Sequence, residues 1–408
     1  MTIKFIIYAM EELKENKEIK RYEEIIKEYL LKNANIYLIK DIKNISITFK
    51  NLGGGMNKNF LIKIYNKEND TTQKLFFRYF GELISDYFDK KKEVQIIKIL
   101  GDLGYGPKLL EFDYENEKYR IDEFIEDSIE LSHNELFNEN ILKDLIIILN
   151  NYSQISDIYK YELIQENSKN IINLIQEGNK QFKIKNNIYD KMINYVYPRA
   201  KKNFEKFNDD YLKNHINDEN LNENNINKIK SLTNNFISLF SSFFNNKGFF
   251  VLNHTDLYQA NILLNKSTNK IYIIDNEFAC LNMIGFDIIW YLLMSLFQYY
   301  PKYEYFPDLM NYEKFYEIYK KYLECFIQTN IKWINENNER KNYIESLKKE
   351  KYFCELLCIA NLFAFIIGLI DLQFKEEFID KSIPPFFVNV LNRIQIFEYS
   401  YDKYKNII

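Results

Sequence analysis

Short runs of alternating apolar and polar residues fill the first third of the chain, and longer runs with helical spacing fill most of the rest. "ISITF" and "FLIKIY" stand on either side of "NLGGGMNKN" and predict two strands joined as a hairpin. "KLFFRYFG" (Lys74 to Gly81) follows a polar turn and predicts a third strand with Arg78 inside it. Val94, Ile97, Leu100 and Leu103 then recur at helical spacing until glycines and Pro107 end the pattern. "KLLEFDYENEKYRIDEFIE" predicts a further hairpin with its turn near Glu115 to Glu117. The spacing therefore predicts a helical leader over 1–45, then a β-rich region over 46–130 crossed by one helix.

From about Leu136 to Phe244 the periodicity is mostly helical. It is interrupted by "NHINDENLNENNINKIK", whose asparagine bias predicts an exposed loop over 214–230. "GFFVLNHTDL" is a short apolar strand feeding a polar loop, and "NILLN" and "KIYIIDNE" are two strands joined by "NKSTNK". "FDIIWYLLMSLFQYY" predicts a buried helix, and further helices are expected around Phe315 to Ile327 and Tyr352 to Ile370. No repeat of fixed period runs through the chain. The pattern is that of an α+β protein with a β-rich first part and a mostly helical remainder over 131–408.

Composition narrows the function classes. With 408 residues, 47% hydrophobic and 17% aromatic, the chain can bury a large core. A formal net charge of −4 argues against a nucleic-acid binder working through a basic surface. Cys280, Cys325, Cys354 and Cys358 form no disulfide framework, and the Cys354/Cys358 spacing lacks the second pair a zinc site needs. A reducing compartment is expected. The apolar run at the start is too short for a signal peptide, and the longest one, Cys358 to Ile370, is about 13 residues and too short for a bilayer. A cytoplasmic chain with no integral membrane association is the expectation.

Three of only 11 glycines sit together at 53–55, where the backbone must turn sharply or approach something closely. His254, Asp256, Asn261 and Asp275 fall in "HTDLYQAN" and "IIDNE", between short apolar strands. Taken singly, the glycines read as a turn, Arg78 as a surface strand residue, Glu93 as an exposed helix position and His254 as a structural histidine. Asp256 and Asp275 could be turn residues, and Asp287 reads as the N-cap of the helix that follows it. In this order, however, the set is specific.

The chain resembles the choline/ethanolamine kinase family, relatives of protein kinases and aminoglycoside phosphotransferases. The likeness covers about Asn51 to Ile125 and Phe249 to Met294, with weaker agreement over the C-terminal helices. "GGMNKNF" resembles the loop that covers the phosphates, "HTDLYQAN" the HxDxxxxN motif, and "IIDNE" the family's IDFE; "FDI" at 286–288 also matches. The resemblance implies a bilobal protein-kinase-like fold, with a small β-rich N-lobe and a large helical C-lobe. It implies ATP and Mg²⁺ as cofactors.

It also implies the roles. Gly54, Gly55 and Asn57 would close over the phosphates, Arg78 would neutralise them, and Glu93, 14 residues before Pro107, would hold Arg78. Glu123 to Ile125 would meet the adenine. Asp256 and His254 are the implied catalytic pair, Asp256 accepting the acceptor's hydroxyl proton. Asn261 and Asp275 would be the hard oxygen ligands of Mg²⁺. His254 and Asp287 would brace the loop.

The acceptor side departs from the family. Tyr258 stands where the family has Gln, and Asn276 replaces the Phe of IDFE. Met294 occupies the place of an acidic residue that meets the substrate ammonium. Ala364 and Ile367 lie where tryptophans would cage a cationic head group, although Phe363 and Phe365 are near, and the only tryptophans are Trp290 and Trp333. Tyr258, Glu277, Phe278 and Met294 are the candidate acceptor contacts, with Tyr299 and Asp371 as further material for a pocket. The implied partner is a small amino alcohol, ethanolamine or choline, at the first step of phospholipid head-group synthesis; a homodimer fits the resemblance. Another small hydroxylated substrate, or a catalytically weak nucleotide-binding scaffold, stays open beside it.

Overall fold

A computed structural model describes residues 18–53, 57–81, 90–166, 192–202, 204–205, 223–244, 250–298, 304–336, 338–371 and 379–407. Gly54, Gly55 and Tyr299 lie outside these, as does the 214–222 part of the asparagine-rich stretch. The chain divides into two compact units, residues 1–128 and 129–408.

Unit 1 is built on a five-stranded antiparallel sheet. Its strands are β1 (Ile45–Gly53), β2 (Lys58–Asn66), β3 (Thr71–Tyr79), β4 (Leu109–Phe112) and β5 (Tyr119–Glu123), in the order β1-β2-β3-β5-β4. Side chains alternate between the two faces of a strand, so one face of β2, β3 and β5 carries Phe60, Ile62, Ile64, Leu75, Phe77 and Ile121 into one apolar cluster. The helix over 18–32, α1, covers that face with Tyr22, Ile26, Tyr29 and Leu30. These four recur at the i, i+4, i+7, i+8 spacing of one helix stripe. Residues 18–32 of the expected leader thus pack into the N-terminal core, and residues 1–17 lie outside the described residues. Burying each of these side chains contributes about 1.5–3 kcal/mol, which a five-stranded sheet with a bare apolar face could not do without. On the opposite face lies α2 (Lys90–Leu103), which sets Val94 against Phe80 and Phe112.

Unit 2 is mainly helical. Its helices include α3 (Glu139–Glu166), α4 (Glu223–Phe244), α5 (Phe286–Met294), α6 (Tyr312–Thr329), α7 (Asn338–Leu347), α8 (Glu350–Asp371) and α9 (Ile379–Ile407). The expected loop over 214–230 is corrected by α4: residues 223–230 are helical, because Ile229, Leu232, Phe236, Phe240 and Phe243 form one buried stripe. The asparagines simply occupy its outer face. Every residue of α5 is buried, as expected of a helix apolar all round. It is shorter than the apolar run suggests, since Phe297–Gln298 leaves the helix to pair with Glu304–Tyr305. The helix Glu350–Leu369 within α8 is 20 residues, long and apolar enough to cross a membrane, yet 94% of it is buried inside the fold, as a core helix.

Small strand pairs carry the loops. Phe250–Asn253 (β6) pairs antiparallel with Cys280–Met283, and Ile262–Asn265 (β7) with Ile271–Ile273 (β8). Gly285 precedes α5 at φ +89°, where a Cβ would lie 2.8 Å from Tyr319 Cε2, so no other residue fits there without strain.

Ile26→Ala is expected to lower the unfolding free energy by about 2–4 kcal/mol in a denaturant titration. Leu31→Ala, one residue beyond the buried stripe and 55% exposed, is expected to change it by about 0.5 kcal/mol or less. Equal effects of the two would show that α1 does not pack as described.

Candidate functional site

In unit 1 the sheet register sets Arg78 of β3 opposite Asn59 of β2 and Arg120 of β5. Two guanidinium groups side by side on one sheet face would repel, and the structure answers with carboxylates. Glu93 of α2 accepts from Arg78 Nη1 at 3.1 Å with its Oε1, and the same oxygen accepts from Arg120 Nη1. Arg120 Nε donates to Asp122 Oδ2 at 2.9 Å, and Arg78 Nε to Asn59 Oδ1 at 2.9 Å. All four charged side chains are buried. Burial pushes the Asp122 carboxyl above its ordinary range, against the pull of Arg120 and Arg78. The ion pair expected between Arg78 and Glu93 is present. Arg120, Asp122 and Asn59 were missed, although the alternation of "YRIDE" already puts Arg120 and Asp122 on one side of a strand.

Gly53 and Asn57 bracket the glycine-rich stretch. Gly53 ends β1 at φ +82°, and its N–H donates to Asn51 Oδ1 at 2.7 Å. Asn57 is buried, its Oδ1 accepting the Gly81 N–H at 3.3 Å. Glu123 closes β5, exposed, with its N–H on the Lys108 carbonyl at 2.8 Å; Ile125 is half-buried beyond it.

In unit 2 the loop after β6 carries His254, Thr255 and Asp256. Asp287, in the first turn of α5, accepts the His254 N–H at 2.6 Å and the Thr255 N–H at 2.8 Å, one on each oxygen. Asp287 is thus not the N-cap of α5, a position held by Gly285; its carboxylate reaches across to the loop because β6 ends there. Burial pushes the Asp287 carboxyl up to about 7, although both N–H donors pull it down.

His254 is fully buried. Its Nε2 lies 2.8 Å from the Ile274 carbonyl, which can only accept, so Nε2 carries the proton. Nδ1 is then the acceptor for the Asp256 N–H at 3.3 Å. Burial lowers the imidazole pKa, in keeping with this neutral form. His254 is a brace between two loops, with both nitrogens engaged.

Asp256 is half-buried, and Asn261 Nδ2 donates to its carbonyl at 2.8 Å and stands 3.4 Å from its Oδ2. The Asn261 carbonyl accepts the Ile274 N–H at 3.0 Å, which joins this loop to the one bearing Asp275. Asp275 is half-buried and holds the left-handed conformation, φ 62° and ψ 62°. His254, Asp256, Asn261 and Asp275 are therefore brought together by direct contacts or adjacent residues. Among the described residues no cluster of three or more His, Cys, Asp or Glu is placed to hold a metal. One carboxylate, Asp275, and one amide, Asn261, whose nitrogen faces Asp256, suit a hard cation that fills its shell with phosphate oxygens and water.

The candidate acceptor contacts are more scattered. Tyr258, Glu277 and Phe278 are half-buried near the loops. Met294 is buried, its Sδ 3.0 Å from Arg393 Nη2, and that guanidinium lies 3.7 Å from the centroid of the Phe297 ring. The Phe297 carbonyl in turn accepts from Gln259 Nε2 at 3.2 Å, next to the Asp256 loop. Trp290 stacks on Phe286 and meets Phe363 edge-on, all three within the core. Arg393 lies far along the chain, and nothing in the local pattern pointed to it.

The family model for choline/ethanolamine kinase matches residues 49–396. Probable choline kinase 2 of Arabidopsis thaliana is 24% identical over 337 residues, which cover 79% of this chain and 80% of that protein. Among solved structures, choline kinase from Cryptosporidium parvum Iowa II has a TM-score of 0.61 at 16% identity, covering 94% of this chain and 96% of that one. Plasmodium vivax ethanolamine kinase has a TM-score of 0.52 at 17% identity, covering 90% and 87%. The small antiparallel sheet followed by a helical remainder is the α+β fold of those structures. With a family match over most of its length, this chain belongs to the choline/ethanolamine kinase family.

Proposed function

We propose that the chain transfers the γ-phosphoryl group of ATP to the hydroxyl of a small amino alcohol, ethanolamine or choline, the opening step of phospholipid head-group synthesis. The observation that carries this is the Asp256–Asn261–Ile274 chain of contacts, which ties the loop bearing the half-buried Asp256 carboxylate, through Asn261, to the residue that precedes Asp275. Asp256 takes the proton as the acceptor O–H bond breaks and its oxygen bonds to the γ-phosphorus, and ADP leaves with the electrons of the cleaved P–O bond. Mg²⁺ held by Asn261 and Asp275 would supply charge neutralisation at the phosphates. Arg78, its guanidinium fixed by Glu93 and Asn59, is the phosphate-facing cation of unit 1.

Between the two amino alcohols, ethanolamine fits better. A quaternary ammonium is held by open aromatic faces, whereas Trp290 stacks on Phe286 and both meet Phe363 edge-to-face, all three buried in the core. A primary ammonium needs only hydrogen-bond acceptors and a carboxylate. One observation favours a second reading, an acceptor with no cationic group: the Arg393 guanidinium is already buried against Met294, where the resemblance places an acidic contact.

Asp256→Ala is expected to lower kcat by about 10²–10⁴-fold while leaving ATP affinity nearly unchanged. Asp275→Ala is expected to weaken Mg²⁺-ATP binding instead. ADP release measured over a panel of ethanolamine, choline and uncharged or anionic alcohols decides the acceptor. Turnover on none of the amino alcohols but on another alcohol establishes the second reading, and full activity of Asp256→Ala overturns both.

The Asp287 carboxyl, raised to about 7 from 3.8, holds its proton more tightly in the folded chain than in the unfolded one. Its contribution to stability is complete below the unfolded value and is lost as pH rises through the folded one. Asp287→Asn is expected to flatten the loss of Tm between about pH 4 and pH 8. It should also lower Tm at every pH, because an amide has one oxygen for two N–H donors. Parallel wild-type and variant curves in a pH series of thermal scans would contradict this.

A further inference from the structure

Asp275 is a non-glycine residue in the left-handed region, φ 62°, a conformation that side-chain-bearing residues seldom adopt, so something must hold it there. Its flanks show what does. On one side the Ile274 carbonyl accepts from His254 Nε2 at 2.8 Å. On the other, Asn276 begins a short 3₁₀ turn, and its Oδ1 accepts the Tyr152 hydroxyl at 2.6 Å. Tyr152 comes from α3, 124 residues earlier, and both partners are buried, at 0% and 2% exposure. The Tyr152 ring also lies against His254, with ring centroids 6.5 Å apart. One side chain of α3 thus touches the histidine that pins Ile274 and the asparagine that pins the far side of Asp275. Burial keeps the phenol protonated, so it donates over the whole working pH range.

Asn276 itself points the same way. A buried carboxamide with no partner is costly, and an asparagine buried at the start of this turn has a place only if a donor meets it. Tyr152 is that donor. The bond ties the turn to a helix outside the two-loop unit, which the strand pairs alone cannot do.

We propose that Tyr152 is a positioning residue for the phosphoryl transfer: through Asn276 it fixes the turn that presents Asp275. The proposal rests on the cation-binding role given to Asp275 above. Tyr152→Phe removes the hydroxyl and keeps the ring, so the core packing survives.

The test uses the full chain and measures Mn²⁺ binding by titration calorimetry in the presence of a non-hydrolysable ATP analogue. Binding of the analogue without metal, the Mg²⁺ dependence of turnover, and Tm are measured alongside. Tyr152→Phe is expected to weaken Mn²⁺ binding about three- to tenfold, the loss that one buried hydrogen bond carries. Its Mg²⁺ half-saturation should rise in parallel, with metal-free analogue binding and acceptor KM unchanged. Asn276→Ala should weaken Mn²⁺ to a similar degree, and the double variant should lose little more. Lower Tm with unaltered Mn²⁺ affinity in both single variants would overturn the proposal and leave the bond a packing contact. Asp275→Ala serves as the reference: if it too binds Mn²⁺ normally, the role assigned to Asp275 fails first and takes the proposal with it.

Discussion

The Asp287 carboxylate, accepting from the backbones of His254 and Thr255, is the interaction on which the arrangement of the helical unit's loops depends. It lies in the first turn of a helix buried on every side, so it cannot move without disturbing the core. Through it, the position of α5 dictates where the loop leaves β6. His254 then relays that position, giving one nitrogen to the Asp256 N–H and the other to the Ile274 carbonyl. A fully buried carboxylate is a costly group to keep. Two charge-assisted hydrogen bonds, each contributing roughly 1.5–3 kcal/mol, reduce that cost without cancelling it, and the carboxyl stays raised to about 7.

The N-terminal unit solves a different problem with the same means. Its sheet carries Arg78 buried beside a second arginine on the next strand. Glu93 accepts from both with one oxygen, and Asp122 accepts from the Nε of Arg120, so two carboxylates face two guanidinium groups. Removing one member of such a buried set leaves an uncompensated charge, which costs about 3–5 kcal/mol. The four side chains therefore behave as one group, and the orientation of Arg78 belongs to the set. On the other face of the sheet, α1 supplies the apolar cover that lets a strand pattern with two buried arginines still fold.

Much of this was legible along the chain because it is local or strictly ordered. The alternation around "FLIKIY" and "KLFFRYFG", and the strand–turn–strand run after His254, follow from period-two patterning. The ordered residues Arg78, Glu93, Asp256, Asn261 and Asp275 suffice to suggest the family. What stayed hidden needs long-range geometry. Asp287 looks like a cap because local rules see only its own helix, whereas its partners lie 32 and 33 residues away. The asparagines of 223–230 concealed a stripe that starts at Ile229 and becomes apparent only when followed to Phe243. Arg120 and Asp122 read as an ordinary hairpin edge until β5 is known to lie inside the sheet, between β3 and β4.

Thr255 and Asp275, on either side of the candidate site, share one physical property: both are non-glycine residues at positive φ, 69° and 62°. Each costs about 1–3 kcal/mol, and Thr255 is β-branched, which makes the conformation rarer still. Glycine would remove the strain but also the constraint, because its backbone samples both signs of φ with little preference. A chain with only 11 glycines in 408 residues instead uses side-chain residues here and ties them down. Thr255 is held by Asp287 on its N–H, and Asp275 by the bonds to its two neighbours. The ties outweigh the strain, and the outcome is a pair of loops with few alternative conformations. Under the proposed phosphoryl transfer, a reaction that relies on positioning more than on covalent help, that rigidity would serve the chemistry directly.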